Sequence, residues 1–472
     1  MKKIINKLSV AAISGMLLVA GCAKNFTVQN PSDSVPSSDA LTSVSALSNA
    51  LNGAYAQLRS VSLYGRDFLI VGDLQADNTY VEVDNSGRYI SQYNYSVTSS
   101  DAVAQEMFSD SYVGIQRANQ IINSTVTATG AAAIKAQAYA IRALLYFKLV
   151  NIYAKPYTDD PSALGVPIVL TYNPYALPAR NTVKEVYTQI VSDLQAAFKD
   201  APDYVNSVTL SKYSIEALLA RVYLYMGDNA DAKTSAVDVI NNGGFSLVTA
   251  GNFAAFWANP AIQSDQTEVM FEVDADVINN NGTDDIAGLY IHGYQDIYAS
   301  SQLYNLYTAT DVRKALMIPG KTKSGAAAYL VNKFPNALNS DRDNLKVIRL
   351  AEVYLIAAEA SASDDQGSAL TYLNDLMAQR DPNTKYTSTG AQLLSDIVNE
   401  RRKELAFEGD RFYDLNRLKL PIARASNPGA IPAGQGNINL NIPYPDNRRV
   451  APIPEAEIQV NANIASQQNP GY

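Results

Sequence analysis

Apolar positions recur at helical spacing through most of the chain. Leu41, Val44, Leu47, Leu51, Ala54, Tyr55 and Leu58 mark one face of a helix, with Asp39 placed to cap its start. The same period predicts helices over 101–126, over Ala131–Tyr153 (Ile134, Tyr139, Leu144, Leu145, Phe147, Leu149) and over 182–200 (Val183, Val186, Ile190, Leu194, Phe198). Around Val269, Phe271 and Val273 it changes to an alternation with Glu268, Met270 and Glu272, which predicts a strand. Residues 64–100 have neither period. They are rich in Gly, Asn, Asp and Tyr and read as a long loop with short strands, the kind of segment that often binds.

Two stretches share a plan. In 212–242, Leu218, Leu219, Val222, Tyr223 and Met226 lead through Gly227-Asp228-Asn229 to Ala232, Ala236, Val239 and Ile240. In 347–380, Leu350, Val353, Tyr354, Ala357 and Ala358 lead through 363–367 to Ala369, Leu373 and Leu376. Each is a helix, a tight turn and a returning helix, and two of similar length suggest tetratricopeptide-like units.

A further helical stripe, Leu394, Ile397, Val398 and Leu405, runs into the charged block 400–417. Arg401 falls inside that stripe, with Glu404 at its edge and Glu408 returning to the same side; Arg411 and Asp414 continue the alternation of signs. A charge aimed at a core needs partners that replace its hydration. The block is therefore a buried ion-pair lattice or an active site. After Leu418 the Pro-, Gly- and Asn-rich tail reads as a strap lying on the body.

Composition narrows the chemistry. Thirty-seven Lys and Arg against 46 Asp and Glu leave a net charge of −9, which argues against nucleic acid as a partner. Cys22 and His292 are single, so there is no disulfide framework and no cysteine zinc site, and a Ser/His/Asp triad would have to pass through His292. No metal or cofactor is expected. The loop 274–285 fails the EF-hand register: Gly282 at the sixth position puts Val277 at the first and Gly288 at the twelfth. Thirty Tyr against one Trp, Trp257, supply amphipathic aromatics for packing or for ligand. A glycoside hydrolase would need two carboxyl groups across an open cleft, one with a raised pKa, whereas Glu400, Glu404 and Glu408 lie on one helix among arginines.

The N-terminus reads as a targeting segment. Lys2, Lys3 and Lys7 precede a short apolar run, and Val19-Ala20-Gly21-Cys22 is similar to a bacterial lipoprotein cleavage box. Residues 1–21 are then a signal peptide, Cys22 carries the lipid, and 22–38 form a polar tether with Pro31 and Pro36.

Several stretches together resemble the SusD/RagB family of outer-membrane nutrient-binding lipoproteins. They are the box at Cys22, Asn52-Gly53-Ala54-Tyr55, Arg142-Ala143-Leu144-Leu145-Tyr146-Phe147 and the run from Val347 to Ala360. The block 400–417, Ala451-Pro452-Ile453-Pro454-Glu455 and the closing Asn469-Pro470-Gly471-Tyr472 complete them. The resemblance implies a mostly α fold, a tetratricopeptide-like helical-repeat scaffold on which loops and a few short strands form the ligand surface. It implies an N-terminal part, 39–265, and a C-terminal part, 266–472, in one compact body. It also implies a lipid-anchored protein facing the cell exterior, a lid on a SusC-like TonB-dependent transporter, that captures oligosaccharide, or peptide, without being an enzyme. The ligand regions would be 77–95 and 290–298, with Asp77, Asn78, Tyr80, Tyr89, Tyr93, Tyr290, Tyr294 and Tyr298 as candidate contacts. Neither region holds tryptophan, which keeps peptide open. On this reading Arg401, Glu404, Glu408, Arg411 and Asp414 form a structural lattice. A helical-repeat adaptor binding only proteins is the remaining alternative.

Overall fold

The computed structural model describes residues 41–173, 175–431 and 440–472. Asp39, Cys22 and the tether lie outside them. The first helix, α1 (Val44–Leu58), starts at Ser43, whose hydroxyl accepts from Ala46 N at 3.2 Å. After α2 (Asp67–Leu74), strand β1 (Thr79–Val81) and the short α3 (Ile90–Asn94), the long pair α4 (Ala102–Ile122) and α5 (Ala131–Tyr153) leads to α6 (Val183–Asp200). Asp101 caps α4, and Thr182 with Glu185 closes a capping box on α6, so both starts are set by local chemistry.

Helices α7 (Lys212–Met226) and α8 (Asn229–Asn242) form the first hairpin, turned at Gly227, where φ is 74°. Strand β2 (Val269–Val273) and the small β3 (Ile297–Ala299), β4 (Met317–Lys321) and β5 (Ala327–Val331) follow. The short helices α9 (Phe253–Ala258), α10 (Ile286–Tyr290) and α11 (Ser301–Tyr304) lead on to the second hairpin. It comprises α12 (Leu350–Ser361) and α13 (Gln366–Met377), with Asp365 capping the return, and α12 packs against α8 of the first hairpin.

Strand β6 (Leu345–Arg349) precedes α12 and pairs antiparallel with β2, Val273 opposite Leu345. Residues 347–349 are therefore strand, not helix. Val and Ile suit either conformation, and the deciding partner lies about eighty residues upstream, beyond any local period. Both strands are buried at every position, so the alternation in β2 does not separate an inside from an outside.

The loop expected over 64–100 also contains helix. Every residue of α2 is buried, so no amphipathic period exists to announce it. Its Gly72 meets Gly409 backbone to backbone: a Cβ on Gly72 would lie 2.0 Å from the Gly409 carbonyl oxygen. The remaining small sheet has the order β1-β3-β5-β4, with Tyr80 opposite Tyr298 and Pro319 opposite Tyr329.

Helix α14 (Gly390–Glu404) carries the first half of the charged block and α15 (Arg411–Arg417) the second. Leu394 faces outward at 40% exposure, and the inward stripe runs through Leu393, Ile397, Glu400, Arg401 and Glu404. The tail pairs β7 (Ile422–Ala423) with β8 (Asn441–Ile442) and ends after α16 (Glu455–Val460). It ties back to the body through Ala451 N to Ile152 O at 2.9 Å and the Asn469 amide to Tyr153 O at 2.9 Å. No described helix is long and apolar enough to cross a membrane.

Candidate functional site

The charged block is a closed electrostatic device. Glu404 accepts from Arg349, Arg380 and Arg313 at 2.6, 3.1 and 3.0 Å. Arg349 and Lys333 share Glu408, Arg349 and Arg380 share Glu268, and Arg313 and Lys403 share Asp311 and Glu400. Five cations (Arg313, Lys333, Arg349, Arg380, Lys403) thus meet five anions (Glu268, Asp311, Glu400, Glu404, Glu408), all buried. A neighbouring set is also balanced: Arg221, Arg401 and Arg417 against Glu352, Glu359 and Asp414, with Arg401 Nε 2.8 Å from Asp414. Burial alone would push the Glu404 carboxyl up, but the three guanidiniums more than offset it and hold it well below the carboxylate range. Burial likewise opposes, and Arg349 with Lys333 outweighs, in keeping Glu408 low. Carboxylates so paired cannot serve as a general acid.

Two residues expected at ligand belong to this interior. Asp77 pairs with Arg411 at 2.8 Å and Arg402 at 3.3 Å, and Asn78 donates to Asp73 at 3.0 Å while accepting from Arg402 at 2.9 Å. They join α14 and α15 to the segment after α2, where Asp73 accepts from Gly409 N at 2.7 Å.

Most of the candidate tyrosines also point inward. Tyr80 and Tyr298 stack on each other across β1 and β3, centroids 5.8 Å apart. Tyr290 lies parallel to Phe334 at 6.2 Å and edge-on to Phe407 at 5.8 Å. Tyr93 is covered by Arg424, whose guanidinium carbon sits 4.5 Å from the ring and which donates to Leu74 O, Ala76 O and Tyr93 O. Tyr89 and Tyr95 bracket α3 with φ of 57° and 56°, and the Tyr89 hydroxyl donates to Asp67. The physical reason is common to all of them: strap and loop segments distant in sequence close over the rings, and a tyrosine alone does not disclose which face is covered.

Tyr294 is different. It is half-buried, Arg88 lies flat over its ring at 3.5 Å, and its hydroxyl donates to Asp284 Oδ1 at 3.0 Å. Arg66 reaches the same Asp284 oxygen at 3.4 Å. Beside it, Lys323 donates to Asp296 at 2.7 Å and to Tyr294 O at 2.9 Å. Asp296 also accepts from Ser86 N at 3.0 Å, and Glu82 accepts from Ser324 N at 2.7 Å and Asp84 N at 2.9 Å. These bonds pin the 82–92 loop, the turn before β3 and the β4–β5 turn to one another. The result is a rigid rim presenting an aromatic ring, two cations and a half-exposed carboxylate. Arg88 also lines an open depression, together with Arg66, Ile90, Ser91, Gln92 and Val103. Arg88, Asp284 and Lys323 lie outside the residues that the sequence points to; the Ser86-Gly87 turn before Arg88 is the one local signal for it. No group of metal-ligating side chains occurs among the described residues.

Comparison with known proteins supplies the relationship. Residues 320–472 match the model of the SusD family, and residues 27–224 match a family described as starch-binding, associating with outer membrane. The SusD-like protein P2 of Formosa agariphila is 28% identical over 99% of this chain and 100% of its own length. A SusD superfamily crystal structure from Bacteroides thetaiotaomicron superposes with a TM-score of 0.83 at 29% identity, covering 91% of this chain and 100% of that one. A putative sugar binding protein from Bacteroides vulgatus does so with a TM-score of 0.80 at 30% identity, covering 92% and 99%. The overall fold is shared with these structures over most of the chain, and the chain is a member of the SusD family.

Proposed function

We propose that this protein is a cell-surface binding lipoprotein, anchored to the outer membrane through Cys22. It captures oligosaccharide at the Tyr294 rim and passes it to a SusC-like TonB-dependent transporter without chemical turnover. The observation that carries the reading is the rim itself: a half-buried aromatic ring held by Arg88 and Asp284, with Arg88 also lining an open depression. Aromatic faces take the C–H face of a sugar, and fixed charged groups orient its hydroxyls. The family description supports the ligand class and the membrane association. The rim charges, Arg88, Lys323 and Asp284, favour a second reading in which the ligand is a peptide. Titration calorimetry with a panel of oligosaccharides and peptides separates the two. Replacing Tyr294 or Arg88 with Ala is expected to weaken the bound class about tenfold, with the melting temperature nearly unchanged. Full affinity in both variants would remove the rim from consideration, and product formation from any oligosaccharide would replace binding with catalysis.

A further inference from the structure

From Pro161 to Ala179 the chain carries no charged residue, nineteen positions in a molecule where 18% of residues are charged. A loop projects from this run, and its outer side chains face water: Leu170, Tyr172 at 59% exposure, Tyr175 at 90% and Leu177 at 47%. Both limbs of the loop are bolted down. On one, Pro167 O accepts from the Tyr112 hydroxyl at 2.7 Å, and Val169 O from Asn119 and Tyr146 at 2.8 and 2.9 Å. Leu170 O accepts from Asn123 at 2.8 Å. On the other limb, Leu177 O accepts from Asn463 at 2.6 Å and Pro178 O from Asn461 at 2.8 Å. Asn173 holds the tip, accepting from Tyr175 N at 3.0 Å. Apolar groups fixed in this way and left in water mark an interaction surface.

The loop lies at the end of the molecule where the N-terminal segment enters. Leu41 O accepts from Ser124 Oγ at 3.1 Å, and the adjoining Asn123 is the residue that holds Leu170. Cys22 precedes Leu41 by nineteen residues, at most about 65 Å of extended chain, so surface chemistry decides which face turns to lipid. Tyrosine and leucine suit the membrane–water boundary, where an apolar body enters the lipid and a hydroxyl stays hydrated. An uncharged segment also avoids the cost of desolvating an ion. The opposite end fails on that count. Ile278 there is 88% exposed, but Asp276 lies two residues away and accepts from Ile278 N at 2.7 Å. Arg59 holds that loop through Asp274 O at 2.6 Å, just past the far end of α1 and about 22 Å along the helix from its start. The depression lined by Arg88 is distant too. It includes Asp101 at the start of α4, about 30 Å of helix away from Asn123. Seating the loop on lipid leaves that side free for ligand.

We propose that Leu170, Tyr172, Tyr175 and Leu177 form a membrane-contact surface, seated in the headgroup region of the bilayer that holds the lipid of Cys22. The proposal rests on the anchor at Cys22 and is independent of the ligand. The test uses the lipidated protein in vesicles of phosphatidylethanolamine and phosphatidylglycerol, with a fluorescent dye on one added cysteine, Ala176→Cys, at an exposed position. Cys22 is the sole native cysteine, so an acylated protein takes one dye and an unlipidated protein takes two. Nitroxide-labelled phospholipid is expected to quench the dye at 176 at least about twofold, since surface-bound elements reach about 5–10 Å into the headgroup boundary. A dye on Ile278→Cys is expected to stay unquenched. Tyr172→Ser combined with Tyr175→Ser, both at exposed positions, is expected to abolish the quenching at 176 with the melting temperature unchanged. One dye per chain with no quenching at 176, equal quenching at both positions, or full quenching in the double variant overturns the surface alone. Two dyes per chain overturn the anchor and the proposal with it. A dye at 176 shielded from aqueous iodide in native outer membranes, but not in vesicles, assigns the loop to a protein partner instead.

Discussion

Replacing Glu404 with Gln keeps the side-chain shape and removes one negative charge from the centre of the lattice. Three guanidiniums, on Arg313, Arg349 and Arg380, then lose a shared counter-ion that is itself fully buried. The balanced set of five against five becomes five against four with no water to compensate. Breaking a buried pair in this manner costs about 3–5 kcal/mol. The remaining anions, Glu268, Glu400, Glu408 and Asp311, each still hold one of the cations, which places the cost toward the lower end. With an unfolding entropy of about 2.1 cal/mol/K per residue over 472 residues, 1 kcal/mol corresponds to about 1 °C, so the melting temperature should fall by about 3–5 °C. Differential scanning calorimetry at pH 7 measures it directly. The pH dependence follows from the direction of the shift. Because the folded carboxyl is held well below its unfolded value, its contribution is present above the unfolded pKa of about 4.3 and is lost as pH falls through the folded one. The gap between wild type and variant should therefore be full at pH 7 and shrink below about pH 4. A shift under about 1 °C at pH 7, or a gap that stays constant to pH 3, would refute the lattice as a source of stability.

Other outcomes follow from the same geometry. Gly72→Ala drives a methyl group to 2.0 Å from the Gly409 carbonyl, which only backbone movement relieves; it should lower the melting temperature by several degrees or prevent folding, as read by circular dichroism. Tyr93→Ala removes a ring that is 2% exposed and covered by Arg424, and should destabilise by about 3–5 kcal/mol, seen as an earlier denaturant midpoint. Tyr294→Ala should leave that midpoint nearly unchanged and act on binding instead. On the proposed anchoring, Cys22→Ser should abolish labelling of the protein with radioactive palmitate, read by autoradiography.

Much of the scaffold was open to reading from the sequence because its causes are local. The period of 3.6 residues exposes α4 and α6, and the Ser, Thr and Asp caps lie within three residues of the groups they satisfy. The Gly227 and Asp365 turns are equally self-contained, which is why both hairpins are visible without coordinates. Helix α2 escaped for the opposite reason: covered on every side, it has no polar face to set a phase. Strand β6 escaped because its identity depends on β2, a partner no window of neighbouring residues contains.

The position of Arg401 in an apolar stripe already required counter-charges, because an isolated buried cation is untenable; that much the sequence determined by itself. Which carboxylates supply them, Glu352 from α12 and Asp414 from α15, only the tertiary structure decided. The same division holds for the loops. Their richness in tyrosine is a property of the sequence, but whether a ring meets water depends on what folds over it. Arg424 and the partner strand β3 cover Tyr93 and Tyr80, while Tyr294 stays half-buried with the guanidinium of Arg88 over its ring. For rings in these loops burial is set by segments hundreds of residues away, which the local pattern does not contain.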